Sequence, residues 1–185
     1  MNIRDEILKE HSKKQTRKIA TYIGTDETKF RELMELFFAN EYIVTQRGAW
    51  VVNECAEKHP ELIRPYLKKM LDYLATPDLH IAVKRNTMRI LHYVDIPKNL
   101  LGRVATISFD FYASPSEAIA VKVHSMYVLE KICKMEPELI PEFRLLFEQQ
   151  LPFAPPAIIA CGRKVFKKLD KLEITKQNKQ NIFNS

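Results

Sequence analysis

The sequence predicts an all-α fold, an α-α superhelix of about four helix pairs with a capping helix before them. Two short words of sequence recur. Ile-Ala-Val-Lys begins at Ile81 and again at Ile119, and Pro-Glu-Leu-Ile begins at Pro60 and again at Pro137. The second interval is close to twice the first. A period of about 40 residues with two helices in each period is typical of an α-solenoid, whose neighbouring repeats share one core.

Composition and charge narrow the function classes. Only four of the 185 residues are glycine, which disfavours turn-rich β folds and phosphate-binding loops. No apolar run is as long as a membrane-spanning helix requires, so no membrane span is predicted, and the first residues lack the apolar core of a signal peptide. Cys55, Cys133 and Cys161 are odd in number and form no CxxC motif. We therefore expect reduced thiols in a cytoplasmic protein.

The helices follow from apolar residues at helical spacing. A helix near 13–23 is expected to cap the array, and a short helix can precede it. The first helices of the pairs are predicted near 28–38, 60–75, 97–112 and 137–149. The second helices are predicted near 41–57, 79–94, 116–134 and 154–171. These give three regions, which are N-terminal capping helices (1–25), the repeat array (26–172) and a polar, frayed C-terminal tail (173–185).

Two middle copies of the second helix carry the same apolar stripe at positions i, i+4, i+8 and i+11. Its members are Val83, Thr87, Leu91 and Val94 in one copy, and Val121, Ser125, Leu129 and Ile132 in the other. Such a stripe forms one face of a helix and predicts burial against neighbouring repeats. Thr76-Pro77-Asp78 and Ser114-Pro115-Ser116 each give a break and side-chain oxygens that could cap the helices that follow them. Pro65 falls early enough in its helix to be accommodated in the first turn or to cause a slight irregularity there.

The segment TPDLHIAVKRNTMRILHYV resembles the second helix of a HEAT repeat. That pattern has a turn with Pro and Asp, a Val followed by a base, a small residue three positions on and an apolar residue four further. Val83-Lys84, Thr87 and Leu91 fit it, as do Val121-Lys122, Ser125 and Leu129. Gln46 and Ala160 stand where the other copies have the base. The resemblance covers roughly 26–172 and implies architecture rather than function. In the proteins it resembles, the Asp of the turn often pairs with the base of the second helix, which would join Asp78 to Lys84.

The resemblance also implies that the second helices line a concave face. Their solvated basic positions would form a stripe, with Trp50 and Tyr127 on or near it, although Trp50 in GAWVV is better interpreted as a core residue. The candidate binding residues are Arg47, Lys84, Arg85, Arg89, Lys122, Tyr127, Arg163 and Lys167, with Gln46, Lys131 and Lys168 as further solvated positions. The net charge of +6 fits this interpretation. An ordinary solvated, lysine-rich face gives the same pattern.

No motif for catalysis or metal binding is recognisable. The five histidines show no HExxH and no paired spacing with cysteine, and no GxSxG, P-loop or GxGxxG occurs. The carboxylates form no evident pair for acid–base work. We therefore predict no catalytic residue, no metal and no cofactor.

Three hypotheses follow. The sequence favours a non-catalytic binding module that presents its concave, basic face to a protein partner. The alternative is nucleic-acid binding by a relative of the DNA-alkylation-repair solenoids, although this chain has one tryptophan and no match to their acidic residue. An enzyme of another kind, such as a lyase, is disfavoured because no serine-rich loop signature is present. The sequence leaves the oligomeric state open.

Overall fold

The computed structural model describes residues 1–76 and 79–183, and over 173–183 it describes the backbone alone. These residues contain helices and no strand, which confirms the predicted all-α class. The α-helices in chain order are α1 (Ile3–Lys9), α2 (Lys13–Ile23), α3 (Glu27–Phe38), α4 (Tyr42–Lys58), α5 (Pro60–Ile63), α6 (Leu67–Tyr73), α7 (Ile81–Tyr93), α8 (Lys98–Ala113), α9 (Ile119–Met135), α10 (Ile140–Gln150) and α11 (Pro156–Phe183). Pairs of these helices correspond to the predicted repeats.

The predicted helix bounds agree with the structure except at the end of α11. That helix was expected to end near 171, and its backbone continues to Phe183. The segment 173–183 contains neither Pro nor Gly, so nothing in it stops a helix. Its polarity is a signal for low burial and says little about backbone conformation. The irregularity predicted at Pro65 is present as a 3₁₀ turn, Arg64–Tyr66, between α5 and α6.

The chain divides into two compact units, Met1–Ile96 and Pro97–Ser185. In the first unit α4 is central, and it packs against α1, α2, α3, α5 and α7. Aromatic and aliphatic side chains fill its core, among them Phe30, Leu33, Phe37, Val52, Ile63 and Leu91. Burial of these side chains is the main favourable term for the unit.

In the second unit α9 packs against both α8 and α11, and α10 packs against α11. Its core includes Tyr112, Met126, Leu129, Phe143, Val165 and Leu169. The ring of Phe147 lies over Gly162, where a Cβ atom would come within 2.0 Å of a ring carbon. Glycine is therefore required at this position for α10 and α11 to approach so closely.

The apolar stripes predicted for the middle copies are buried as expected. The eight stripe residues, which lie in α7, directly after it at Val94, and in α9, are at most 3% exposed. Thr76, Ser114 and Ser116 do not cap the helices that follow them, and Asp78 lies outside the described residues. The imidazole Nδ1 of His80 accepts a hydrogen bond from the Ala82 amide at 3.0 Å, and a Glu117 carboxylate oxygen accepts from the Ala118 amide at 3.1 Å. His80 therefore caps α7, whereas Ala118 precedes the first residue of α9 and no described side chain caps that helix.

Candidate functional site

The eight predicted binding residues are divided equally between the two units. Arg47 on α4 and Lys84, Arg85 and Arg89 on α7 belong to the first, whereas Lys122 and Tyr127 on α9 and Arg163 and Lys167 on α11 belong to the second. Burial and bonding differ among them. Some of these side chains are bonded within the fold, and others are exposed to solvent.

Arg47 is bonded to the backbone of α1. Its Nη1 donates to the carbonyl oxygens of Ile7 at 3.2 Å and Leu8 at 2.9 Å. These carbonyls lie in the last turn of α1, where intrahelical donors are missing. Arg47 thus fastens α1 to α4, and its role as a contact for a partner stays a prediction.

Arg89 lies on the rim of a small polar cavity of about 240 Å³ in the first unit. The cavity is lined by Lys13, Thr16, Trp50, Asn53, Glu54, Glu57, Asn86 and Arg89. Arg89 lies 3.6 Å from the Glu57 carboxylate, an exposed pair. Trp50 is 38% exposed, so its interpretation as a core residue was wrong. Its ring packs against His11, with 4.5 Å between ring centroids.

The floor of this cavity is a buried pair of amides that sequence reasoning missed. Asn53 and Asn86 are 3% and 2% exposed. The Asn53 Nδ2 donates to Asn86 Oδ1 at 2.6 Å and to the Ala49 carbonyl at 3.0 Å, and Asn86 Nδ2 donates to the Ala82 carbonyl at 2.7 Å. The Tyr93 hydroxyl donates to the Asn53 carbonyl at 3.1 Å. Because each amide is bonded inside the unit, the pair joins α4 to α7.

The carboxylate beside Trp50 is also paired. Glu54 has a side chain that is 21% exposed and lies 3.0 Å from the Lys58 ammonium and 3.8 Å from the Arg17 guanidinium. A base-excision site of the kind considered above would need a desolvated acid beside the tryptophan. Two cations around Glu54 do not provide that environment.

In the second unit Lys168, which was predicted to be a solvated base, is bonded to a carboxylate. Its Nζ donates to both carboxylate oxygens of Glu130 at 3.0 Å. Lys134 Nζ donates to the same carboxylate at 2.5 Å. Glu130 is 3% exposed, and its burial was not predicted. In the sequence it forms an i, i+4 pair with Lys134, which is typical of a solvated helix face.

Arg163 and Lys167 lie one helical turn apart on α11 and are exposed. Neither has an ion pair with another described side chain. They line an open groove of about 510 Å³ with Arg144, Phe147, Glu148, Leu151, Phe166, Asp170 and Lys171. The Arg144 guanidinium lies 2.5 Å from the Asp170 carboxylate and 4.8 Å from the centroid of the Phe166 ring. Aromatic rings thus form part of the wall beside two open cations.

Lys122 and Tyr127 are half-buried on α9. Burial lowers the pKa of the Lys122 ammonium, and the negative charge of Glu117 partly offsets this. Burial raises the pKa of the Tyr127 hydroxyl. The ion pair expected between Asp78 and Lys84 stays a prediction, because Asp78 lies outside the described residues.

The thiols do not form a reactive centre. Cys55, Cys133 and Cys161 are free and buried. Burial raises the pKa of the Cys55 and Cys133 thiols to about 12, far from the range in which a thiolate acts as nucleophile or ligand. Within residues 1–76 and 79–172, no group of three His, Cys, Asp or Glu side chains is placed to hold a metal ion. No described helix is both long and apolar enough to cross a membrane.

A protein-family model described as a HEAT repeat domain matches residues 3–169. The match spans most of the chain, includes the capping helices and confirms the resemblance found in the second helices. No curated protein and no solved structure matches the chain.

Proposed function

The chain belongs to the HEAT-repeat family, and we propose that it is a non-catalytic module that binds an acidic segment of a protein partner. Repeats of this family generally serve as scaffolds, because stacked helices present long surfaces for contact. The observation that supports the proposal best is the pair of exposed basic side chains on α11. Arg163 and Lys167 are exposed and unpaired among the described side chains, and they line a groove that Phe147 and Phe166 help to form.

The distribution of acidic residues favours a protein over a nucleic acid. In the first unit Glu54 and Glu57 line the cavity that contains Arg89. In the second unit Glu148 and Asp170 line the α11 groove beside Arg163. A phosphate backbone carries a charge at every nucleotide and is bound by uninterrupted cations. A peptide carries few charges, which suits a groove lined by both basic and acidic side chains.

We assign no catalytic role because the least exposed carboxylates and amides are already bonded to other groups of the chain. The carboxylates of Glu54 and Glu130 are each held by two cations, and the buried amides bond one another. General acid–base work requires a group that is free to exchange a proton with a substrate. Binding through exposed side chains requires none of these groups to move.

A charge-reversal pair with a matched control tests the proposal. We expect Arg163→Glu combined with Lys167→Glu to weaken binding of a fluorescein-labelled peptide of alternating glutamate and phenylalanine by roughly tenfold or more. The control, Lys14→Glu with Lys98→Glu, changes the net charge equally at exposed positions outside the groove. Fluorescence anisotropy at low salt provides the measurement. Equal loss in both double variants would show that only net charge matters and would contradict the α11 groove.

A further inference from the structure

A second groove in the second unit lies apart from the α11 cations. It encloses about 390 Å³ and is mostly apolar, and Ile119, Phe153, Ala154 and Ile158 contribute to its wall. Phe153 is 90% exposed and Ile119 is 46% exposed. An aromatic ring that is almost fully exposed beside other apolar side chains is a feature of interaction surfaces.

Phe153 is presented on a stiff stretch of backbone. It ends the 3₁₀ turn Leu151–Phe153, and Pro152, Pro155 and Pro156 surround it in the sequence. Proline fixes φ and so restricts the chain before any partner arrives. A side chain held in this way loses little entropy on binding, which is characteristic of an anchor residue.

The wall of the groove contains a half-buried cation, Lys122, on which the charge of Glu117 acts. Glu117 lines the same groove, and one of its carboxylate oxygens accepts the Ala118 amide at the start of α9. Burial disfavours a charged amine, as the lowered pKa of Lys122 reflects. An anionic group of a ligand beside Lys122 would offset that cost.

Two glutamines complete the rim. Gln150 donates from Nε2 to the Tyr112 carbonyl at 3.2 Å, and its own amide oxygen accepts no hydrogen bond from the described residues. Gln149 is exposed beside it. Primary amides both donate and accept, so they complement the N–H and C=O groups of an extended peptide.

We propose that this groove binds a peptide segment in which an apolar side chain is followed by an acidic one. The apolar side chain packs against Ile119, Phe153 and Ile158, and the carboxylate pairs with Lys122. The inference goes beyond the α11 groove and does not depend on Arg163 or Lys167. The two grooves can therefore succeed or fail separately.

The test uses the full chain with ¹³C-labelled isoleucine methyl groups and three tetrapeptides. The probe is acetyl-Gly-Leu-Asp-Gly-amide, and the two matched peptides replace its Asp by Lys or its Leu by Ser. We expect the methyl signals of Ile119 and Ile158 to shift and saturate with the probe. Both matched peptides are expected to bind at least about tenfold more weakly, since each loses one of the two contacts.

Variants assign the contacts. Lys122→Met keeps the aliphatic stem and removes the charge, so it should abolish the preference for Asp over Lys while the Leu contribution remains. Phe153→Ser changes an exposed side chain and should weaken the two peptides that contain Leu, with little effect on the Leu→Ser peptide and with the fold intact. Lys98→Met is the control, an exposed lysine on α8 that does not line the groove. It should leave the titration unchanged.

Three outcomes would overturn the inference. The first is an absence of methyl shifts at Ile119 and Ile158, or equal shifts with the Asp and Lys peptides. The second is concentration-dependent dimerisation, measured by sedimentation, that Phe153→Ser abolishes, because the groove would then be covered by a second copy of the chain. Loss of peptide binding in Arg163→Glu with Lys167→Glu, but not in Lys122→Met, would assign the acidic contact to α11 instead.

Discussion

In each unit a nearly buried glutamate is held by two lysines, but the two clusters join different parts of the fold. Glu6 on α1 accepts from Lys18 Nζ and Gln15 Nε2, both at 2.8 Å, and is paired with Lys9. Glu130 on α9 is held by Lys134 and by Lys168, which lies 38 residues further along the chain.

The two clusters differ in how far apart in the sequence the helices that they join lie. The Glu6 cluster joins two helices that follow each other in the sequence, whereas the Glu130 cluster spans one repeat and joins α9 to α11. The same interval separates Gln150 from the Tyr112 carbonyl to which it donates. Polar groups placed one period apart thus connect neighbouring repeats in the second unit. In the first unit the amides of Asn53 and Asn86 connect α4 to α7.

The largest expected effect comes from the apolar stripes, of which each unit contains one. Leu91 and Leu129 are matched positions of α7 and α9 and are at most 1% exposed. We expect Leu91→Ala and Leu129→Ala each to lower the free energy of unfolding by about 2–5 kcal/mol, because each leaves a cavity. Chemical denaturation measures both. An unchanged midpoint for either variant would show that its stripe does not carry the packing of its unit.

Two helical glycines give an effect of opposite sign in the two units. A Cβ at Gly162 would overlap the Phe147 ring, so Gly162→Ala should destabilise by about 1–3 kcal/mol. A Cβ at Gly48 on α4 would meet its nearest neighbour, Ile7, at 3.7 Å, an ordinary contact. Gly48→Ala should therefore stabilise by up to about 1 kcal/mol, since alanine favours the helix. Thermal melting of both variants provides the comparison, and the same sign in both would contradict the packing described here.

The Glu130 cluster can be broken by removing its cations. Lys134→Met with Lys168→Met leaves a buried carboxylate without an ionic partner, and we expect a loss of about 1–2 kcal/mol. This loss is at the lower end of the range expected for a buried acceptor without a partner. The two lysines are half-exposed, so water can reach the carboxylate when they are replaced. Adding Glu130→Gln to this double variant should restore part of the loss in urea denaturation. No recovery would indicate that the aliphatic stems of the lysines matter rather than the charge.

The smallest expected effect is the pH dependence of the Glu6 cluster. Hydrogen bonds from Lys18, then Lys9 and Gln15, lower the pKa of the Glu6 carboxyl from 4.5 to about 2. A lowered pKa in the folded state stabilises the fold above the unfolded value, and this stabilisation is lost as the pH falls from 4.5 toward 2.

Comparison with Glu6→Gln isolates this effect. The variant should melt at a lower temperature than the parent chain near neutral pH, and the gap should close as the pH falls through the same window. Melting curves at a series of pH values provide the measurement. A gap that stays constant down to pH 2 would exclude titration of Glu6 as the cause.

The repeat architecture could be predicted because apolar periodicity is a local signal. Val83, Thr87 and Leu91 lie on one helix face wherever the helix is placed, so their burial follows from spacing alone. The matching word at Val121 then fixed the period. Helix starts were predicted well for the same reason, and the end of α11 was missed because no breaker marks it.

The polar contacts could not be predicted because they depend on which helices become neighbours. Glu130 has the local pattern of a surface residue, but it is buried in the structure and is bonded to Lys168 on α11. One signal was available, since Glu130 and Lys168 differ by the repeat period found from the words of sequence. Asn53 and Asn86 are separated by a different interval, 33 residues, so the period gives no indication of their contact. Trp50 was misplaced because its apolar neighbours suggested a core position.

We infer that the exposed cations of the second unit bind an acidic protein segment rather than nucleic acid. The most direct test titrates the full chain in parallel with the acidic peptide and with random-sequence duplex DNA, at about 50 and 200 mM salt. We expect the peptide to bind more tightly than the DNA at both salt concentrations, and we expect Arg163→Glu with Lys167→Glu to remove this binding. Tighter binding of DNA, with a steep salt dependence that the same double variant abolishes, would contradict it and would establish a nucleic-acid surface instead.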